Sequence, residues 1–251
     1  MNRLALASFV VAAGASMAFG QVIPIGAESA ATSGLNTAIR SAPRVHQAYY
    51  SSVNFGSFTN PTTITGMQLK LAIGENWRPA GYVGSSWPNA DLNFGSFEVV
   101  FAKPSAGLVT DGEYLSTAPT FASYLDTAVT VRTGALTIPA NSFQADGGAA
   151  GEHSYGFTFN FTTPYTLNPG DGLVIQIRHS GYGTVGTPLN AFFATRGFEN
   201  GVTDAISSTA GQNAASPNGF SSPYYVNLIP TPGSVALLGL AGLAGARRRR
   251  A

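Results

Sequence analysis

Cysteine is absent from the 251 residues, so no disulfide framework can hold this fold together. Charge is scarce as well, at 10% of residues, while aromatics reach 11%. That balance excludes a disordered chain, because enough apolar surface is available for burial. Glycine is abundant at 30 residues, but no G-X-Y period accompanies it, which excludes a collagen-like rod. Helix-length amphipathic stretches are missing too; the best short candidate covers residues 33–40 and no more than two turns. A basic surface is also lacking. Five of the 13 basic residues are terminal, namely Arg3 and Arg247 to Arg250, which leaves 8 against all 12 acidic residues and a net charge of −4 between 21 and 230. Such a body offers no electrostatic footprint for phosphate backbones, so nucleic acid is not an expected partner.

What is present begins at the ends. Residues 1–20 carry a positive start at Arg3, an apolar stretch over 4–18, and the small-x-small pattern Ala18-Phe19-Gly20 before Gln21. This three-part pattern predicts a secretory signal peptide, cut by signal peptidase between Gly20 and Gln21. Export makes disulfides available, yet the chain has no cysteine to use, so its stability must come from the core. A body of about 210 residues is large enough to supply one.

At the other end, Pro230-Thr231-Pro232-Gly233 breaks regular structure, since proline removes a backbone donor and fixes φ. Residues 235–246 (VALLGLAGLAGA) follow without a charge, and then Arg247, Arg248, Arg249 and Arg250 before Ala251. As a helix those 12 residues span about 18 Å, or about 27 Å counted from Ile229, against a hydrocarbon core of about 30 Å. The arginines favour the cytoplasmic side, which places the body between the two segments outside the cytoplasm.

Pro-x-Pro, an apolar Leu/Gly/Ala helix and a terminal arginine cluster together resemble the PEP-CTERM sorting signal of exported bacterial proteins. The resemblance covers residues 229–251. Pro230 and Pro232 match the two motif prolines, 235–246 the helix and Arg247 to Arg250 the tail, while Thr231 stands where the family has glutamate. It implies transient membrane contact, recognition by an exosortase-type membrane peptidase, and release or attachment at the cell surface. The family is tied to bacteria that make extracellular polysaccharide and matrix, and its bodies are diverse. A simple C-terminal tail anchor is the plainer alternative.

Between the ends, short strand-like runs bounded by turn residues dominate. They cover 64–73, 94–101, 128–138, 155–161, 173–179, 190–195 and 224–228. In 173–179 (LVIQIRH), Leu173, Ile175 and Ile177 share one face; in 155–161 (YGFTFNF), Tyr155, Phe157, Phe159 and Phe161 do. Residues 168–172 (NPGDG) form a turn, with Pro setting φ and Gly supplying φ > 0. The expectation is an all-β antiparallel sandwich, jelly-roll-like, over 21–222, with 223–229 as a last strand or linker and 211–223 leading towards the tail. A β-helix or propeller would need repeats; NFGSF occurs at 54–58 and 93–97 only, which reads as coincidence.

Signals of chemistry are few. His46, His153 and His179 form no HxH or HExxH spacing, and neither DxDxDG nor G-x-S-x-G occurs, so no metal or cofactor is expected. Calcium held by loop acids would draw on Asp91, Asp111 and Asp171. His179 has the parity of the buried face at a strand end and is expected at the sandwich rim; Glu152-His153 reads as a solvated turn. A glycosidase needs two carboxylates about 5–10 Å apart, and neither Glu98, facing out of its strand, nor Asp126, near Tyr124, stands in a telling context. The loop NWRPAGYVGSSWPNAD carries two readings. Trp77, Tyr82 and Trp87 could stack on sugar rings with Arg78 and Asn89 as polar partners, making a module for extracellular polysaccharide, or the two indoles could plug the end of the core. Three functions therefore stand: a non-catalytic surface or matrix protein, a carbohydrate-binding module, and a secreted hydrolase. The first is the leading expectation.

Overall fold

Residues 173–179 form the strand that their alternation predicts, and it lies near the middle of a sheet with antiparallel neighbours on both sides. The structure, a computed structural model, describes residues 23–25, 34–56, 58–106, 120–148, 151, 153–183, 189–195 and 202–231. The predicted signal peptide with its Gly20–Gln21 junction lies outside the described residues. So do Asp111, Glu152, and the tail from Pro232 through Arg247, Arg248, Arg249 and Arg250. Among the described residues no helix is long and apolar enough to cross a membrane.

Strands are numbered in chain order. One sheet has the order β1 (Ile23–Ile25), β16 (Val226–Pro230), β4 (Thr62–Lys70) and β11 (Tyr155–Leu167). The other has the order β15 (Gly219–Ser221), β14 (Thr203–Ser208), β3 (Arg44–Tyr50), β12 (Leu173–His179), β7 (Phe97–Pro104) and β8 (Leu125–Arg132). Every pairing is antiparallel. Three short ladders complete the described set: β2 (Gly34–Leu35) with β13 (Phe193–Ala194), β5 (Ser86–Trp87) with β10 (Phe143–Gln144), and β6 (Leu92–Phe94) with β9 (Leu136–Ile138).

The two large sheets share one apolar core. Met67 and Leu69 of β4 and Phe159 of β11 meet Phe97, Val99 and Phe101 of β7 and Ile175 and Ile177 of β12 there. Aromatic rings bridge the layers: Phe97 stacks on Phe159 with centroids 5.5 Å apart, and Phe101 meets Phe161 at 5.0 Å and Tyr165 at 5.5 Å, both edge-on. Such geometries add about 0.5–1.5 kcal/mol per pair beyond area burial.

The outer face of the second sheet is covered as well. Val45, Tyr49, Ala102, Val174 and Ile206 pack against Phe121 and Tyr124 of a 3-10 turn (Phe121–Tyr124). This double cover explains why β3 and β14 escape the reading of strands from alternation: all their residues are buried, so inward and outward positions no longer differ in polarity.

Several expected boundaries move. The run 94–101 breaks at Gly95-Ser96 into β6 and β7, and 128–138 breaks at Gly134, whose φ of +106° suits glycine alone. Residues 34–40 form β2 and a turn instead of a helix, and the backbone N–H of Ala38 is taken by the Tyr224 hydroxyl at 2.9 Å. Residues 223–229 are no linker, since β16 lies between β1 and β4. The stretch 211–223 also belongs to the body: the carbonyls of Gln212 and Ala214 accept from Arg178, and β15 pairs with β14. The two NFGSF copies differ in structure, one in a 3-10 turn (Ser52–Phe55), the other joining β6 to β7.

Truncating a bridging ring leaves a cavity that this close-packed core cannot fill. Phe97→Ala and Phe159→Ala should each lower unfolding free energy by about 3–5 kcal/mol, measured by denaturant titration.

Candidate functional site

The loop containing Trp77, Arg78, Tyr82, Trp87 and Asn89 leaves β4 at its Lys70 end, where Tyr155 of β11 stands opposite, and turns inward over the core. Trp77 and Trp87 are both 0% exposed. Trp77 meets Tyr82 edge-on at 5.3 Å and His153 at 6.4 Å, and the Arg78 guanidinium lies over its ring at 5.5 Å. Trp87 donates from Nε1 to the Leu189 carbonyl at 2.7 Å and packs against Phe143 and Phe193 at 5.7 and 5.6 Å. A cis peptide joins Trp87 to Pro88. Arg78 and Tyr82 are half-buried; Arg78 pairs with Glu75 at 3.0 Å, and the Tyr82 hydroxyl donates to the Ser86 carbonyl. Asn89 is exposed. The structure thus gathers Trp77, Arg78 and Tyr82, but neither indole offers a face to a sugar ring. The two rings supply apolar area to the end of the core, and stacking on Trp77 and Trp87 is corrected accordingly.

His153 also needs correction. It is buried rather than solvated, accepts from the Gly147 N–H at Nδ1 (3.1 Å) and donates from Nε2 to the Gly74 carbonyl at 2.6 Å. The second bond ties the approach to β11 to the loop after β4, and the first ties it to the segment after β10, an arrangement without a sequence signal.

The acidic residues scatter. Asp91 accepts from the Ala140 N–H at 2.8 Å, and Asp171 pairs with Lys103 at 3.0 Å and accepts from Asn168 at 3.0 Å. Glu98 faces Arg178 at 3.8 Å, and Asp126 stands opposite Lys103 in the β7–β8 ladder. Among the described residues no group of three or more His, Asp or Glu is arranged to hold a metal. Asp204 differs from the rest: burial pushes its carboxyl up to about 6, partly offset by the Ala205 N–H it accepts.

The most unusual polar arrangement was not legible in the sequence. It lies at the end of the second sheet where β3 begins and β12 ends. Arg44 stands opposite His179 in the ladder, and His179 stands opposite Phe97. His179 donates from Nε2 to the Thr37 carbonyl at 3.2 Å and accepts from the Gly181 N–H at 3.0 Å, so both ring nitrogens are used and the ring is neutral. It packs between Phe94 and Phe97 at 5.4 and 5.9 Å, inside the rim where its parity suggested it would sit. His46, on the same face of β3, contacts the Tyr224 ring at 4.7 Å. The turn before β3 is pinned by Ser41, whose N–H donates to Asn190 Oδ1 at 2.8 Å and whose carbonyl accepts from Gly183 at 3.0 Å. A Cβ on Gly181 would fall 2.1 Å from the Ser41 carbonyl oxygen, so only glycine permits this approach.

Two guanidiniums enter this end, from Arg40 and Arg44. Arg44 is 8% exposed, and the Nε of each arginine is sealed from solvent without a hydrogen-bond partner. Burial, then the charge of Arg40, lowers the Arg44 pKa from its ordinary value. Burial likewise lowers His46 and His179 to about 4, and both arginines contribute to the His179 shift.

Comparison with known proteins finds no matching family model, no matching curated protein and no matching solved structure.

Two outcomes follow from this geometry. His46 and His179 titrate near 4 when folded but near 6.5 when unfolded, so the unfolded chain gains protons first and stability is lost as pH falls from 6.5 towards 4. Asp204 acts oppositely, its folded pKa of about 6 exceeding the ordinary 3.8, so it adds stability as pH falls through 6. Two histidines outweigh one carboxyl, and the melting temperature should fall from pH 7 to pH 4.5; Asp204→Asn should raise it at pH 8 and steepen the acid loss. For the loop, Trp77→Ala and Trp87→Ala should each cost about 3–5 kcal/mol of stability, and acrylamide should quench native tryptophan emission weakly.

Proposed function

We propose that this chain is an exported, non-catalytic β-sandwich displayed at a bacterial cell surface or in its extracellular matrix, delivered by its signal peptide and sorted through its C-terminal tail. The observation that carries the reading is where the body stops. β16 runs to Pro230, and the N–H of Thr231 still donates to the Thr63 carbonyl at 2.8 Å. The body thus reaches the Pro-x-Pro motif without an intervening linker, which supports reading everything after Thr231 as an address rather than as fold.

The same boundary shortens the apolar segment. Ile229 and Pro230 are committed to β16, leaving residues 235–246, which would span about 18 Å if helical, against a hydrocarbon core of about 30 Å. So short a span favours transient membrane contact and processing by an exosortase-like peptidase over permanent anchoring. The architecture fits display. The chain repeatedly switches between the two sheets, as in a jelly-roll-like sandwich, and the resulting body is held by its core alone. Signal peptidase and the sorting peptidase are the partners this reading requires.

Expression in a host with such a sorting system provides the test. Pro232→Ala, and replacement of Arg247, Arg248, Arg249 and Arg250 by serine, should each leave full-length protein in the membrane fraction. Processing that continues unchanged in both variants would defeat the proposal. Pro230→Ala serves as a comparison only alongside a melting curve, because Pro230 is buried in β16.

A further inference from the structure

We infer that Arg40 and Arg44 form an oxyanion-binding site at the end of the second sheet, for a ligand bearing a carboxylate or phosphate group. The other described cations of the body each have a partner. Lys70 lies 5.5 and 5.1 Å from the rings of Tyr155 and Tyr225, Arg78 pairs with Glu75, and Lys103 pairs with Asp171. Arg132 donates to the Ala135 carbonyl, and Arg178 to the carbonyls of Gln212 and Ala214 while facing Glu98. Among the described residues no ion pair or hydrogen bond joins the side chain of Arg40 or Arg44, although Arg44 is 8% exposed and the Nε of each is sealed from solvent.

A buried guanidinium without a counter-charge is costly, and two together repel each other as well. Among the described residues no carboxylate pairs with them, and only the Tyr224 phenol favours the Arg44 charge. The Thr37 carbonyl serves His179, and Asn190 Oδ1 serves both the Ser41 N–H and the Tyr182 hydroxyl at 2.5 Å. His179 uses both ring nitrogens and carries no charge at neutral pH. The scaffold is rigid. Ser41, the residue after Arg40, is bonded to Asn190 and Gly183, while Arg44 is fixed by its place in the β3–β12 ladder. The planar guanidinium fork suits carboxylate and phosphate oxygens alike, because each offers two acceptors to a pair of N–H donors. A bound oxyanion supplies the missing counter-charge.

The test uses purified full-length protein in detergent at pH 7.5 and constant ionic strength, with sodium galacturonate, sodium phosphate and sodium chloride as separate titrants and melting temperature as the readout. Galacturonate or phosphate should give a saturable rise of about 3–5 °C at tenfold excess over Kd, and chloride should not. Whichever of the two acts at lower concentration identifies the carboxylate or phosphate source. Arg40→Gln, at a half-buried turn position, should weaken binding at least tenfold, and Arg44→Lys should weaken it less than Arg44→Gln. Should Arg44→Gln fail to fold, Arg40→Gln decides alone. The inference is overturned if neither oxyanion gives a saturable shift, or if the shift survives undiminished in Arg40→Gln. Tail processing does not enter this readout, so its outcome is separate from that of the sorting proposal.

Discussion

The contact on which this structure depends is the aromatic seam between its two sheets, centred on Phe97 of β7 against Phe159 of β11. A chain without cysteine has no covalent means of joining the layers, and its few charges lie mostly in half-exposed pairs of small worth. Large rings meeting across the gap supply apolar area and a preferred geometry together. The seam extends along β7 through Phe101 to Phe161 and Tyr165, and at the other end through His179 and Phe94. The ends of this core are then closed in different ways. Trp77 and Trp87 close one part with indoles, whereas the end near His179 contains arginine charge.

That contrast divides the molecule by chemistry. The Trp loop is largely self-satisfied: Arg78 covers Trp77 and pairs with Glu75, the Trp87 Nε1–H has a carbonyl, and His153 uses both ring nitrogens, with Arg78 Nε left over. Such closure is what a structural plug requires. The arginine end is not self-satisfied, because its acceptors serve other donors and its histidines are neutral. Two neighbouring guanidiniums without an ion pair among the described residues are the reason to look for a ligand there.

How much was legible in the sequence follows from how many faces each strand buries. β12 was found to the residue, and the shared face of Phe157, Phe159 and Phe161 was read correctly because Asn160 opposite them stays exposed, but Tyr155 was misplaced: a bulge between it and Thr158 turns it to the other face, against Lys70. β3 and β14 were missed because both their faces are covered, which erases alternation and lets Gln47, Asp204 and Ser208 sit inside. His153 was misread because its burial depends on the carbonyl of Gly74, remote in sequence. Of the two readings offered for the tryptophans, aromatic content alone could not choose, since a sugar platform and a core plug have the same composition. Arg40 and Arg44 carried no signal at all: two arginines flanking Ser-Ala-Pro look like an ordinary solvated turn until the ladder places one opposite a buried histidine.

The proposed division of the chain is a self-sufficient sandwich that ends at its last strand, followed by a removable address. Intact mass of the protein recovered from the envelope and medium of a sorting-competent bacterium addresses this most directly. The account predicts a mature species that begins at Gln21 and ends beyond Thr231 but before the arginine cluster, with β16 retained. A mature species that still carries Arg247 through Ala251, or one cut within β16, would contradict it.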